Sequence, residues 1–159
     1  MTCPLCLKTK IEHYHQDNRR DYWQCTNCHL VFVNPHDFLN SKDEKAIYDQ
    51  HENSSDDTGY QTFLNKLLIP LSKKLNPADF GLDFGSGPGP TVSKMMEIKG
   101  FKMVNYDLYY ANNHELLMQQ YDFITCTEVI EHLYYPYQEL TMLYEILKPK
   151  GLLGIMTKR

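Results

Sequence analysis

No apolar run in this 159-residue chain approaches the roughly 20 residues that a membrane-crossing helix needs. No helical span is therefore expected. Basic residues are few: 16 Lys and Arg stand against 20 Asp and Glu, a formal charge of −4. That balance lacks the broad positive footprint of a nucleic-acid binder, so no nucleic-acid partner is expected. Met1-Thr2-Cys3-Pro4 lacks the basic-then-apolar build of a secretory leader. The expected location is the cytoplasm. Cysteine is scarce, five in all, and four of the five lie in two close pairs. In a reducing compartment such pairs fit a metal better than disulfides. An apolar fraction of 42% with 13% aromatics excludes global disorder. The length suits one ordinary domain plus a small module.

The four paired cysteines form that module. Cys3, Cys6, Cys25 and Cys28 give C-x₂-C-x₁₈-C-x₂-C, within the spacing of a zinc site. Each C-x₂-C turn can aim two thiolates at one ion, and two turns complete a tetrahedron. Two disulfides or four free thiols are the alternative. Tyr22-Trp23-Gln24 and Leu30 to Val33 read as strands of a zinc ribbon. His13, His15 and His29 read as surface groups, since four thiolates already satisfy the ion. A ribbon could bind nucleic acid, dock a partner or shape a substrate site.

Ser41 to Glu52 reads as a charged helix, with Ser41 as N-cap and Glu44 completing a capping box. Phe63, Leu64, Leu67, Leu68, Leu71 and Leu75 then recur at helical spacing. Pro70 is expected to kink or split that helix. The expected organisation is a zinc ribbon over 1–36, a helical linker or cover over 37–78, and an α/β sheet domain over 79–159.

The sheet domain is organised around Gly81 to Pro90. A short apolar strand runs into Gly85, Gly87 and Gly89, and a helix with Val92, Met95 and Met96 inward follows. Strand, glycine turn and helix N-terminus together make a ligand loop. A dinucleotide fingerprint wants G-x-G-x-x-G, but Pro90 stands at the third glycine. That departure argues against a hydride-transferring dehydrogenase. Lys102 to Tyr106 reads as the second strand. Asp107 at its tip, 22 residues after Gly85, sits where an acid accepts ribose hydroxyls; a helix N-cap or surface acid is the plainer reading. Leu108 to Gln120 is too short for a usual crossover, so an abbreviated sheet is expected. Tyr121 to Cys126 is a strand with Cys126 as a core thiol. Pro136 opens a helix with Tyr137, Leu140, Tyr144 and Leu147 on one face, and Leu152 to Met156 is a last strand.

Four blocks resemble the class I S-adenosylmethionine-dependent methyltransferases. They are Leu82 to Gly89 (LDFGSGPG), Val104 to Asp107 (VNYD), Tyr121 to Leu133 (YDFITCTEVIEHL) and Leu147 to Thr157 (LKPKGLLGIMT). The ribbon is similar to one found in a subgroup of these enzymes. The resemblance implies a Rossmann-like sheet and methyl transfer to an oxygen, nitrogen or carbon of a small-molecule acceptor. By the same resemblance Asp83, Gly85, Ser86, Gly87 and Gly89 would cradle the methionine part of the cofactor. Asp107 would hold its ribose, and Thr127 and Glu128 would line the pocket near the sulfonium. Zinc would be structural.

The run Glu128-x-x-Glu131-His132 is similar to one in polyprenyl-benzoquinol O-methyltransferases and small-RNA 2′-O-methyltransferases, where it resembles a divalent-metal site. That would make a metal-assisted O-methyltransferase. The plainer readings are a helix cap, or His132 as general base with Glu131 beside it. A truncated, non-catalytic cofactor-binding protein is the further alternative. The family has two more strands after the fifth, so the chain is expected to be a fragment or shortened form. Leu152 to Met156 would then be an apolar edge prone to homodimer formation.

Overall fold

The computed structural model describes residues 1–49 and 55–157. The N-terminal module has three antiparallel strands in the order β1-β2-β3: β1 (Ile11–Gln16), β2 (Asp21–Cys25) and β3 (Val31–Val33). Strands β2 and β3 are those expected; β1 is an addition. Its sequence, IEHYHQ, carries no apolar alternation, and five of its six residues are exposed. It is held by its backbone ladder to β2, with a bulge between His13 and His15. The His13 ring packs edge-on against Trp23 at 5.4 Å and bonds Asp21 at 3.2 Å.

Helix α1 (Ser41–Tyr48) follows a short 3-10 turn. Its N-cap is Asn40, not Ser41. The Asn40 side chain accepts from the N–H groups of Lys42 and Asp43, so the acceptor lies one residue earlier than the capping-box spacing suggested. The rest of the expected helix, residues 50–52, lies outside the described residues. Helix α2 (Thr58–Ser72) is capped by Asp57 and is continuous through Pro70. Pro70 falls in the last turn with its ring exposed. There the missing N–H costs one bond near the helix end, and the helix runs on for two residues beyond it.

The second sheet is parallel, in the order β5-β4-β6-β7: β4 (Phe80–Phe84), β5 (Lys102–Tyr106), β6 (Tyr121–Thr127) and β7 (Leu147–Met156). Helix α3 (Thr91–Ile98) links β4 to β5, and α4 (Pro136–Glu145) links β6 to β7. The link from β5 to β6 is a 3-10 turn, His114–Met118, without a strand, so the sheet is abbreviated there as expected. Strand β7 begins five residues before the expected start. Leu147 pairs Tyr121 but Leu152 pairs Phe123, so the intervening residues, including Pro149, loop out of register.

Both faces of the sheet are covered, which is why its strands read as continuous apolar runs. Leu64, Leu68 and Leu71 of α2 and Val92 and Met96 of α3 pack on Met103 and Phe123. On the other face Leu143 and Ile146 pack on Leu82, Phe84, Tyr121 and Ile124. Cys126 is buried in that layer, and desolvation pushes its thiol up to about 12. It is a core group, as expected. Strand β4 has β5 on one side and β6 on the other, so the sequence order reverses beside it. Ligands of doubly wound folds bind at the carboxyl end of that switch point.

Gly81 is required by packing and not by backbone conformation. A Cβ on Gly81 would lie 2.3 Å from the Phe123 ring. Gly81→Ala is therefore expected to destabilise the protein by about 1–3 kcal/mol in urea melts. Phe123→Leu in the same chain should recover part of the loss. An unchanged midpoint for Gly81→Ala would contradict this packing.

Candidate cofactor and acceptor site

The turn after β4 takes its shape from two left-handed glycines, Gly85 (φ +77°) and Gly87 (φ +64°). They are required for different reasons. A Cβ on Gly85 would strike the Val129 side chain at 2.3 Å, whereas among the described residues nothing lies within 4 Å of one on Gly87. Gly85 is thus fixed by the protein, and Gly87 faces open space that a ligand can use. The N–H groups of Gly85 and Ser86 both donate to the Tyr106 carbonyl, at 2.8 and 3.2 Å. Pro90 stands at the N-cap of α3 with no side-chain cap bond. The expected loop residues Gly85, Ser86, Gly87 and Gly89 all line one cavity of about 940 Å³.

Asp107 ties this loop to the tip of β5. Its Oδ2 accepts from the Gly87 N–H at 2.8 Å. Its Oδ1 accepts from the N–H groups of Tyr109 and Tyr110 at 2.8 and 3.1 Å. The ribose acid of the sequence reading is therefore also the brace of the glycine loop. Three N–H groups occupy three of about four carboxylate lone-pair sites, and the residue still faces the cavity.

Asp83 lies beneath the loop, 2% exposed. The Thr125 hydroxyl donates to it at 2.7 Å. Desolvation pushes its carboxyl up to about 7, and Asp107 adds to the rise, against the Thr125 bond. A carboxyl in that state favours a cationic neighbour, which would restore its charge.

The end of β6 supplies the opposite wall. Thr127 is buried and Glu128 half-buried. Glu128 takes φ +56°, a left-handed conformation that costs a non-glycine residue energy, and its N–H donates to the Met156 carbonyl at 2.7 Å. Glu131 and His132 follow on a 3-10 turn (Ile130–His132), not at the start of a helix. Both side chains are exposed, and both line the cavity rim. The His132 ring meets Tyr48 of α1 edge-on at 5.4 Å.

The sequence reading missed the wall made by α1. Glu44 accepts hydrogen bonds from three tyrosines: Tyr48 at 3.3 Å, Tyr109 at 2.8 Å and Tyr134 at 3.2 Å. Tyr134 also donates to the Leu39 carbonyl at 2.6 Å and stacks on Phe38. The segment read as a charged helix within a linker or cover therefore walls the cavity. The signal was present as Glu44 and Tyr48 one turn apart and as the pair Tyr109-Tyr110. Nothing local joins them, because Glu44 and Tyr109 are 65 residues apart.

In the N-terminal module the sulfur atoms of Cys3, Cys6, Cys25 and Cys28 lie within 4.8 Å of one another, the only such group of three or more ligating side chains among the described residues. None is in a disulfide. The two cysteine turns are built alike. Cys3 N–H donates to the Lys8 carbonyl and Leu7 N–H to the Cys3 carbonyl; Cys25 N–H donates to Leu30 and His29 N–H to Cys25. Leu7 and His29, each directly after a second cysteine, are both left-handed at φ +59° and +61°. The matched turns bring four thiols to one point, the donor set and number that zinc takes. The ribbon also touches the sheet domain: the Tyr137 N–H in the first turn of α4 donates to the Pro4 carbonyl at 3.2 Å.

The raised Asp83 carboxyl makes stability depend on pH. The folded state keeps the proton to about pH 7, whereas an unfolded aspartate loses it near pH 4. The wild type therefore loses stability from this group between those values, by up to about 4 kcal/mol, and nothing further above them. Asp83→Asn is expected to become more stable relative to wild type from pH 5 to 7, with a plateau above. Urea melts at several pH values check this, and a flat difference would refute it.

The methyltransferase domain family matches residues 57–158. No curated protein matches the sequence. The matched span takes in the glycine loop, Asp83, Asp107 and the β6 turn, while the ribbon and α1 precede it. Members of such a family use S-adenosylmethionine, and the parallel sheet with its glycine turn is the Rossmann-like fold expected of one. On that match and that fold, the chain belongs to the methyltransferase domain family.

Proposed function

We propose that this chain transfers a methyl group from S-adenosylmethionine to a small-molecule acceptor, and that zinc holds its ribbon together. The observation that carries the reading is a single cavity. It runs from the open face of Gly87 to the tyrosine-lined wall of α1. At about 940 Å³ it is at the upper end of small-molecule sites, with room for two reactants side by side. When bound, S-adenosylmethionine supplies a methyl group on a cationic sulfur.

The chain's own residues do the rest. Gly85, Ser86, Gly87 and Gly89 shape the cradle for the methionine part, and Asp107 accepts from the ribose. Buried Asp83 favours positive charge nearby. Thr127 and Glu128 line the wall between cofactor and acceptor. Helix α1 and Tyr134 close the cavity over the acceptor, which excludes water and orients the reactants. His132 and Glu131 at the rim are placed to take a proton from the acceptor. A proton-transfer role is favoured over a metal role there, because Glu128, Glu131 and His132 do not bring their ligating atoms together as the four cysteines do.

Calorimetry with S-adenosylhomocysteine tests the cofactor site. Wild type should bind. Gly87→Val should abolish binding, since its side chain fills the open space. Asp107→Ala should weaken it by at least about 1.5–3 kcal/mol, the range for hydrogen bonds to a charged group, because the loop brace is lost with the ribose contact. Binding unchanged in both variants would refute the site.

For the ribbon, protein prepared without chelator should carry about one zinc ion per chain, the content of a four-thiolate site. Stripping the metal should raise amide exchange in the first turn of α4, because Pro4 caps it. Zinc-free protein with a protected α4 would contradict the structural role.

A further inference from the structure

The cavity has an acceptor end whose chemistry is one-sided. Its described lining carries six carboxyl groups, from Glu44, Asp83, Asp107, Glu128, Glu131 and Glu139, and no lysine or arginine. Three of these, Asp83, Asp107 and Glu128, flank the cofactor position. Glu44 stands on the far wall, where Tyr48, Tyr109 and Tyr134 surround it. Burial first, and the Glu44 charge after it, push the Tyr48 phenol well up and the Tyr109 phenol to about 12. The phenols therefore stay protonated as donors, and their rings stay neutral π faces. A carboxylate held by tyrosine hydroxyls, in a cavity that the same tyrosines line, suits an ammonium group, through charge and cation–π attraction together.

The same helix already displays that chemistry once. On its exposed side the Lys45 ammonium lies 2.9 Å from Asp49 and 4.9 Å above the Tyr110 ring. The Tyr110 hydroxyl donates to Asp49 at 2.6 Å. Ammonium, carboxylate and tyrosine form a complete set there. On the cavity side Glu44 and its tyrosines repeat the carboxylate and the rings, and no lysine of the described lining fills the third place. From this repeat within one helix we propose that the acceptor is a small organic amine, held by its ammonium group at Glu44. The proposal rests on the methyltransferase reading above. An acceptor carrying phosphate or carboxylate would meet the Glu44 carboxylate at this wall, with no lysine or arginine of the described lining to offset it.

Calorimetry with three probes that share one ring tests this. The protein is first saturated with S-adenosylhomocysteine, then titrated with tyramine (cationic), 4-ethylphenol (neutral) and 4-hydroxyphenylacetate (anionic). Tyramine is expected to bind roughly tenfold tighter than 4-ethylphenol, with the anion weakest. Added salt should weaken tyramine and leave 4-ethylphenol unchanged. Glu44→Gln, checked first for S-adenosylhomocysteine binding, should erase the preference for the cation. Equal or tighter binding of the anion, no binding of tyramine, salt-independent tyramine binding, or an intact preference in Glu44→Gln would each overturn the amine proposal. Failure of the wild type to bind S-adenosylhomocysteine would instead overturn the methyltransferase reading on which it rests.

Discussion

The hydrogen bonds of Asp107 are the constraint on which the site depends. One carboxylate joins the glycine turn, 20 residues away in the chain, to the end of β5 and the segment that follows it. Through Gly87 it sets the turn after β4. Through its own position it ends β5. Through Tyr109 and Tyr110 it bends the following chain toward α1. That bend puts the Tyr109 hydroxyl on Glu44 and the Tyr110 hydroxyl on Asp49. The cradle and the roof of the cavity are thus two consequences of one side chain. A carboxylate accepting several backbone N–H groups is among the stronger local restraints available to a loop.

The sheet supplies the floor of the cavity, and part of its wall, Glu44 and Tyr48 of α1, comes from outside the family's span. Helix α1 and the ribbon precede residue 57, where the family match begins. Each is attached to the β6–α4 segment that carries Glu131 and His132. Tyr134 bonds α1 and the Leu39 carbonyl; Tyr137 bonds Pro4 of the first cysteine turn. The N-terminal additions therefore bear on the same rim from two sides. This is a physical reason for a small cysteine module to accompany a methyltransferase sheet.

What was legible in the sequence was local chemistry. The cysteine spacing, the glycine turn and Asp107 each declare themselves within a few residues, because a turn or a ligand set is made there. The buried faces of α2 and α3 were legible because periodicity reports burial. Three features were not. Strand β1 has no apolar alternation, since a metal-sized module has little core to bury. The Asn40 cap was displaced by one residue, as an amide acceptor needs no capping-box partner. The Glu44 and tyrosine wall was not legible because it joins segments 65 residues apart, and neither segment alone points to the other. Pro70 did not split α2, because a missing N–H costs little near an exposed helix end.

The central claim is that Asp107, braced against Gly87, places the cofactor so that its sulfur faces the Glu44 wall. The structure of the complex with S-adenosylhomocysteine tests it most directly. The account predicts a ribose hydroxyl on Asp107, the methionine part over Gly87, and the sulfur toward Thr127, Glu128 and the tyrosine-lined space. A ligand bound elsewhere, or one whose sulfur points away from that space, would contradict it.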